Sequence, residues 1–184
     1  MLQMMKDCEQ TQGMSVLAHG EMVYAYYLDL HNHVTQGTPL QYEWKMPDWF
    51  ADKNLWRLRQ EEAVIEEYMV NHDCSKPLVR TVDDNGKVHF PDHAKASEAA
   101  WLHVGGSEEA AKLMGMDMDI HLLKAEGQEE FAKRPQAATL LIAGLCEIHA
   151  NASMFGGIDS TSFKIKWKHI DKRGKQIVKL LASD

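Results

Sequence analysis

Apolar positions recur every three to four residues through most of the chain, the spacing of a helix that buries one face. In SVLAHGEMVYAYYLDLHNH, His19, Val23, Tyr26 or Tyr27, and Leu30 fall on one stripe. A second helical pattern runs from Glu61 to Val70, and others follow in DHAKASEAAWLHV, SEEAAKLMG and the short DMDIHLLKA. Ser107 stands where it can cap SEEAAKLMG. Pro135 is placed as the first residue of a helix through QAATLLIAGLCEIHANA, with Ala138, Leu141, Leu145 and Ile148 on its apolar face.

Three stretches break this period. TQGTPLQYEWKMPDWF is rich in turn formers and aromatics and reads as an irregular flap, after which Asp52 can cap the next helix, the segment through Arg57 and Arg59 being ambiguous in pattern. Between Pro77 and Pro91, VRTVDDNGKVHF reads as two short strands around Asp84-Asn85-Gly86, a hairpin insert over residues 78–91. In SFKIKWKHI, Phe163, Ile165 and Trp167 alternate with Lys164, Lys166 and Lys168, and DKRG separates them from KQIVKLL. That alternation predicts a basic β-hairpin over residues 160–184. The expected fold is therefore all-α, a helical bundle in a single domain over 1–184 with a small C-terminal β-hairpin.

Composition narrows the function classes. The 184 residues are 45% hydrophobic and 26% charged, ordinary for a globular domain. The most apolar stretch, Ala137 to Leu145, is too short to span a bilayer, so no membrane partner is expected. Acidic residues in MLQMMKDCEQ precede any long apolar run, unlike a secretory signal, and the widely spaced Cys8, Cys74 and Cys146 suggest reduced thiols in the cytoplasm. The formal charge of -7 is uneven: from Ser160 onward lysine and arginine dominate, whereas the body is strongly acidic. An acidic body with imidazoles suits a cation, and a basic tail suits a phosphate, a nucleic acid or an acidic neighbouring subunit in a homo-oligomer.

Ten histidines offer candidate ligands, and position separates them. His19 begins a helical stripe, His72 and Asp73 end a helix, His93 begins one, and His121 lies beside Asp117 and Asp119. Imidazole with carboxylate is the ligand set of borderline divalent metals at neutral pH. His31, His33, His89, His103 and His169 read individually as surface or packing residues. Cys74 reads as a buried thiol, because neighbours on a helix point in different directions.

The stretch NHDCSKP, Asn71 to Pro77, resembles the HDxxKP motif of the HD-domain metal-dependent phosphohydrolases. HGEMVYAYYLDL upstream, HAKASEAAW and DMDIHLL downstream are similar to that family's supporting segments, so the likeness spans about Ser15 to Ala152. It implies an HD-domain-like helical bundle. As ligands it implies His19, His72, Asp73, His93 and His121, for one or two divalent ions of Zn, Mn, Fe, Co, Ni or Mg. Either His31 or His33 is an alternative to His19. Where the family usually closes with an aspartate, this chain has Glu147, or His149 if the alignment shifts.

The activity implied by the resemblance is hydrolysis of a phosphate ester or anhydride by metal-activated water, with a nucleotide the favoured small substrate. Asp73 would position the nucleophile. Lys76 would neutralise charge on the phosphoryl group, or simply pair with Asp73. Arg57 and Arg59 are further phosphate contacts beside the flap, where Trp44 and Trp49 cover a base or seal the loop. Asp119 is placed to orient His121. The competing reading is a nucleotide- or nucleic-acid-binding protein that uses the basic hairpin. The acidic body disfavours a polymer.

Overall fold

A computed structural model describes residues 1–11 and 13–182. In chain order these form helix α1 (Leu2–Asp7), strands β1 (Glu9–Thr11) and β2 (Met14–Ser15), and helices α2 (Val16–Gln36), α3 (Lys53–Arg57), α4 (Glu62–Asn71) and α5 (Lys76–Val79). Strands β3 (Thr81–Val82) and β4 (Val88–His89) follow, then helices α6 (His93–His103), α7 (Glu108–Gly115), α8 (Asp119–Leu122), α9 (Gln128–Ala132), α10 (Ala137–Ala152) and α11 (Thr161–Leu181). The fold is mostly helical, with two antiparallel two-stranded ribbons, β1–β2 and β3–β4. Two compact units interleave along the chain: Met1–Met22 with Glu62–Met118, and Val23–Glu61 with the chain from Asp119 onward.

In the first unit α4 packs on α7, α6 on α7, and α5 on α6. Glu67, in the middle of α4, gathers this corner. Its carboxylate accepts the Trp101 indole N–H at 2.7 Å and both the Ser107 amide and hydroxyl at 2.8 Å. Burial pushes its pKa up, but these hydrogen bonds outweigh that and hold it below the ordinary value. Ser107 caps α7, accepting from the Ala110 amide. In the β3–β4 ribbon Thr81 pairs with His89 and Val82 with Val88. Asp83 accepts the Asn85 and Lys87 amides at 2.9 Å across the turn, and Gly86 takes a positive φ of 77°.

In the second unit α10 is buried on every side from Ala137 to Cys146, wrapped by α3, α8, α9 and α11, so it is a central helix and not the one-faced helix its pattern suggests. It begins at Ala137, two residues after Pro135, whose carbonyl accepts the Gln60 side-chain amide at 3.1 Å. The flap before α3 is organised by Asp29, which accepts the Gln41 and Tyr42 amides and the Trp44 indole N–H at 2.8, 3.1 and 2.9 Å. Trp44 therefore seals the flap. Asp52 caps α3 by accepting from Asn54 and Leu55.

The C-terminal segment corrects the sequence reading. Thr161–Leu181 is one long helix capped by Ser160, and no β-hairpin forms there. Alternation over five residues is a short sample. Across the whole segment Phe163, Ile170, Gly174, Ile177 and Leu181 are buried at helical spacing, while Ile165 is 55% exposed. Gly174, expected in a turn, is a contact: a Cβ there would lie 2.2 Å from the Trp49 indole. The lysines fall on the outer face, where Lys168, Lys172, Lys175 and Lys179 border a groove of about 570 Å³. Among the described residues no helix is long and apolar enough to cross a membrane.

Candidate metal centre

The first unit brings His19, His72, Asp73 and His93 together. Two aspects of the local sequence cause this. Gly20 follows His19, and a Cβ there would sit 2.0 Å from the Val70 carbonyl oxygen, so only glycine lets α2 approach the end of α4 at backbone distance. The His19 ring then lies 5.2 Å from that of His72, edge to face. Ser75 and Ser97 join α5 to α6: the Ser75 hydroxyl donates to the His93 carbonyl at 2.8 Å, and the Ser97 hydroxyl to Ser75 Oγ at 3.0 Å. Ser97 sits one turn after His93, which gives the H-x-x-x-S spacing of HAKAS a physical role.

Asp73, 2% exposed, is the centre of the cluster. Its Oδ2 lies 2.7 Å from Lys76 Nζ, 3.2 Å from His72 Nε2 and 3.8 Å from His19 Nε2, and its Oδ1 lies 3.6 Å from His93 Nε2. Burial alone would push the carboxyl pKa up. The charges of His72 and Lys76, a hydrogen bond from His72 and the charge of His19 overcome this and hold it well below the usual carboxylate value.

The imidazoles are oriented as metal ligands usually are. His72 Nδ1 lies 2.8 Å from the Met69 carbonyl and His93 Nδ1 lies 3.1 Å from that of Phe90. A carbonyl only accepts, so each Nδ1 carries a proton and each Nε2 is turned toward Asp73. In the neutral tautomer the His72 Nε2 lone pair then faces a carboxylate at 3.2 Å. That contact repels unless a proton or a cation lies there.

The donor set fits a divalent ion. His19, His72 and Asp73 each offer a ligand atom, all within 4.8 Å of one another. Atoms about 2.1 Å from a common ion at tetrahedral or octahedral angles stand roughly 3.0 to 3.4 Å apart. The 3.2 Å separation of His72 Nε2 from Asp73 Oδ2 falls on such an edge, and the 3.8 Å separation of His19 Nε2 is longer than a hydrogen bond and a little longer than the edge. Asp73 Oδ1 is buried and makes no hydrogen bond among the described residues, so a ligand position remains on the carboxylate.

The remaining candidates belong to the second unit. In the second unit His121 Nε2 lies 3.0 Å from Glu147 Oε2, each side chain about one-fifth exposed. Asp119, expected behind His121, accepts instead from Arg134 at 2.5 Å. His149 is committed to the fold: Nδ1 donates to the Leu145 carbonyl at 2.8 Å and Nε2 accepts the Lys45 amide at 3.1 Å. Burial pushes its pKa down to about 4, which keeps it neutral. Of the two residues considered for the late ligand, Glu147 retains the chemistry for it.

His31 stacks on Tyr27 and meets Arg59, and His33 faces the Thr38 carbonyl, which accounts for both as structural residues. Arg59 donates to the Trp56 carbonyl at 2.6 Å and to the Tyr27 hydroxyl at 3.2 Å, while Arg57 donates to Asn54. Cys74 is buried, donates to the Ser97 carbonyl at 3.7 Å and has a pKa pushed up to about 11, so it is no nucleophile. Beside α5, Met4, Asp7, Cys8, Glu9, Pro77 and Arg80 border a cavity of about 410 Å³. The residues that sequence reasoning missed are Gly20, Ser75 and Ser97. The last two stand inside the quoted motifs, and Gly20 directly follows His19.

No protein-family model matches the chain, and no curated protein and no solved structure matches it.

Proposed function

We propose that this chain is a metal-dependent phosphohydrolase that cleaves a phosphate ester or anhydride of a small substrate, with a nucleotide as the favoured class. The observation that carries the reading is the convergence of His19, His72 and Asp73 at the end of α4. These residues would hold a divalent ion of the zinc, manganese, iron, cobalt or nickel kind. His93 would add a ligand beside Asp73 Oδ1. When bound, such an ion supplies a Lewis acid for a phosphoryl oxygen and lowers the pKa of water.

The chain's own groups supply the remainder. Ionised Asp73 fixes the cluster and accepts a charge-assisted hydrogen bond from the Lys76 ammonium. Lys76, 12% exposed, keeps its ammonium on Asp73 within reach of solvent, where it can meet an anionic phosphoryl group. The cavity of about 410 Å³ bordered by Pro77 has the size of a small-molecule site, and its charged lining is Arg80 with Asp7 and Glu9. Its size supports a small substrate over a polymer.

The test is a metal analysis of the purified protein followed by a phosphate-release screen over mono-, tri- and cyclic nucleotides with each divalent ion. Metal-dependent release by the wild type, and none by Asp73→Ala, is expected. Turnover that survives Asp73→Ala overturns the mechanism.

A further inference from the structure

The outer face of α11 is a row of cations that the metal centre does not use. Lys164, Lys166, Lys168, Lys172, Lys175 and Lys179 are all exposed, and Asp171, 14% exposed, is the only carboxylate among the described residues of this helix. Asp171 pairs with Lys175 at 2.9 Å, and Lys164 lies 3.8 Å from Asp159. Among the described residues neither Lys168 nor Lys172 forms an ion pair. Both border the groove of about 570 Å³ that runs along the helix, and Ala125 and Gln128 across from them carry no charge. Glu129 and Glu130, next in the chain, do not line the groove and pair with Lys133 instead.

Spacing and residue type say what such a face holds. Lys168, Lys172, Lys175 and Lys179 advance by four, three and four residues, so they form one stripe of about 16 Å with about one ammonium per turn. A duplex nucleic acid carries one phosphate charge per about 1.7 Å of axis, roughly nine along this stripe, whereas a single nucleotide would meet only part of it. Protein interfaces are anchored by aromatic and arginine side chains and are depleted in lysine. Here Phe163 is buried, the Trp167 indole N–H donates to the Lys45 carbonyl at 2.7 Å, and Arg173 donates to the Leu123 carbonyl at 2.8 Å. With no exposed Trp, Tyr or Phe among the described residues of α11, the stacking platform that a single strand needs is missing too. A helix lying on a membrane inserts its apolar side, but Ile170, Ile177 and Leu181 are buried in the fold. Lysine charge is what remains, and it holds phosphates without reading bases. The formal charge of -7 does not cancel it, because charges beyond about 8 Å are largely screened at physiological ionic strength.

We propose that the lysine face of α11 binds the phosphate backbone of a nucleic-acid duplex without sequence preference. The face belongs to the second unit and does not depend on the metal cluster of the first. The test is fluorescence anisotropy of two labelled DNA duplexes of unrelated sequence, and of one of their single strands, with the purified full chain. Both duplexes should bind alike and more tightly than the strand. With three to four phosphates neutralised, affinity should fall about 40- to 150-fold between 50 and 200 mM salt. Lys168→Gln/Lys172→Gln should bind at least about 10-fold more weakly at the lower salt and reduce the slope of log affinity against log salt by about 2, whereas Lys168→Arg/Lys172→Arg should keep both. Circular dichroism verifies the fold of each variant. No duplex binding at the lower salt, equal binding by wild type and the glutamine variant, or tighter binding of the single strand overturns the proposal. If the glutamine variant does not fold, the wild-type salt dependence decides: affinity unchanged across this range overturns it. Two further arms test other occupants, phosphatidylserine vesicles and sedimentation of the protein alone. Without duplex binding, vesicle binding assigns the face to a lipid surface, and self-association abolished by the glutamine variant assigns it to a second copy of the chain; either result overturns the proposal.

Discussion

Gly20 meets the Val70 carbonyl so closely that an added methyl group would lie 2.0 Å from the oxygen and 2.7 Å from the carbon. Backbone cannot yield as a side chain does, so Gly20→Ala must push α2 off the end of α4. The helical propensity of alanine would favour the variant by about 1 kcal/mol, but overpacking costs typically 1 to 3 kcal/mol. The shift also carries His19 away from Asp73, a separation now 3.8 Å. A lower urea midpoint together with a lower metal content is expected. A midpoint equal to wild type would show that the approach is not maintained in solution.

Lys76 separates a structural from a chemical role. Its ammonium bonds Asp73 at 2.7 Å and lies 5.3 Å from the centre of the Phe90 ring. If it serves the phosphoryl group, Lys76→Met in metal-loaded protein should lower phosphate release by about 100-fold, the scale of losing one electrostatic stabiliser, with metal content unchanged. Full release from a metal-loaded Lys76→Met protein would make the lysine only a counter-ion of Asp73.

The helices were readable because their apolar stripes are long. Ser107 and Asp52 cap where the sequence places them, since a cap needs only a local hydroxyl or carboxylate. The close set His72, Asp73 and Lys76 was readable for the same local reason. What local patterning does not carry is the partner of a glycine: neither Gly20 under Val70 nor Gly174 under Trp49 differs, in sequence, from a turn glycine. The C-terminal hairpin failed on this point, because Phe163, Ile165 and Trp167 alternate over too few residues to distinguish a strand from a helix edge. Asp117 is, in sequence, an ordinary charged neighbour of His121, whereas in the fold it is buried and accepts from the Tyr68 hydroxyl.

Gly174 and Trp49 provide a direct check of the long C-terminal helix. Within a helix Gly174→Ala gains propensity, yet its Cβ would lie 2.2 Å from the indole, whose N–H donates to the Asp171 carbonyl at 3.2 Å. Gly174→Ala should therefore destabilise by about 1 to 3 kcal/mol in wild type and much less in a Trp49→Leu background. Equal effects in the two backgrounds, measured by urea denaturation, would show that these residues do not touch.

His149 makes stability depend on pH in a stated direction. Burial lowers its pKa from 6.5 to about 4, opposed only in part by the hydrogen bonds to Leu145 and Lys45. Between those values the unfolded chain binds a proton that the folded chain does not, so stability rises with pH. The contribution is complete above about pH 6.5 and is lost as pH falls toward 4, at about 1.4 kcal/mol per pH unit. Replacing the imidazole in His149→Gln removes the titrating group, so the variant, though less stable at neutral pH, should lose less of its remaining stability across this window. Urea midpoints of wild type and variant measured from pH 7 to 4.5 should converge as the pH is lowered. Parallel curves would mean that His149 is protonated in the fold as readily as in the unfolded chain, contrary to an Nε2 that accepts the Lys45 amide.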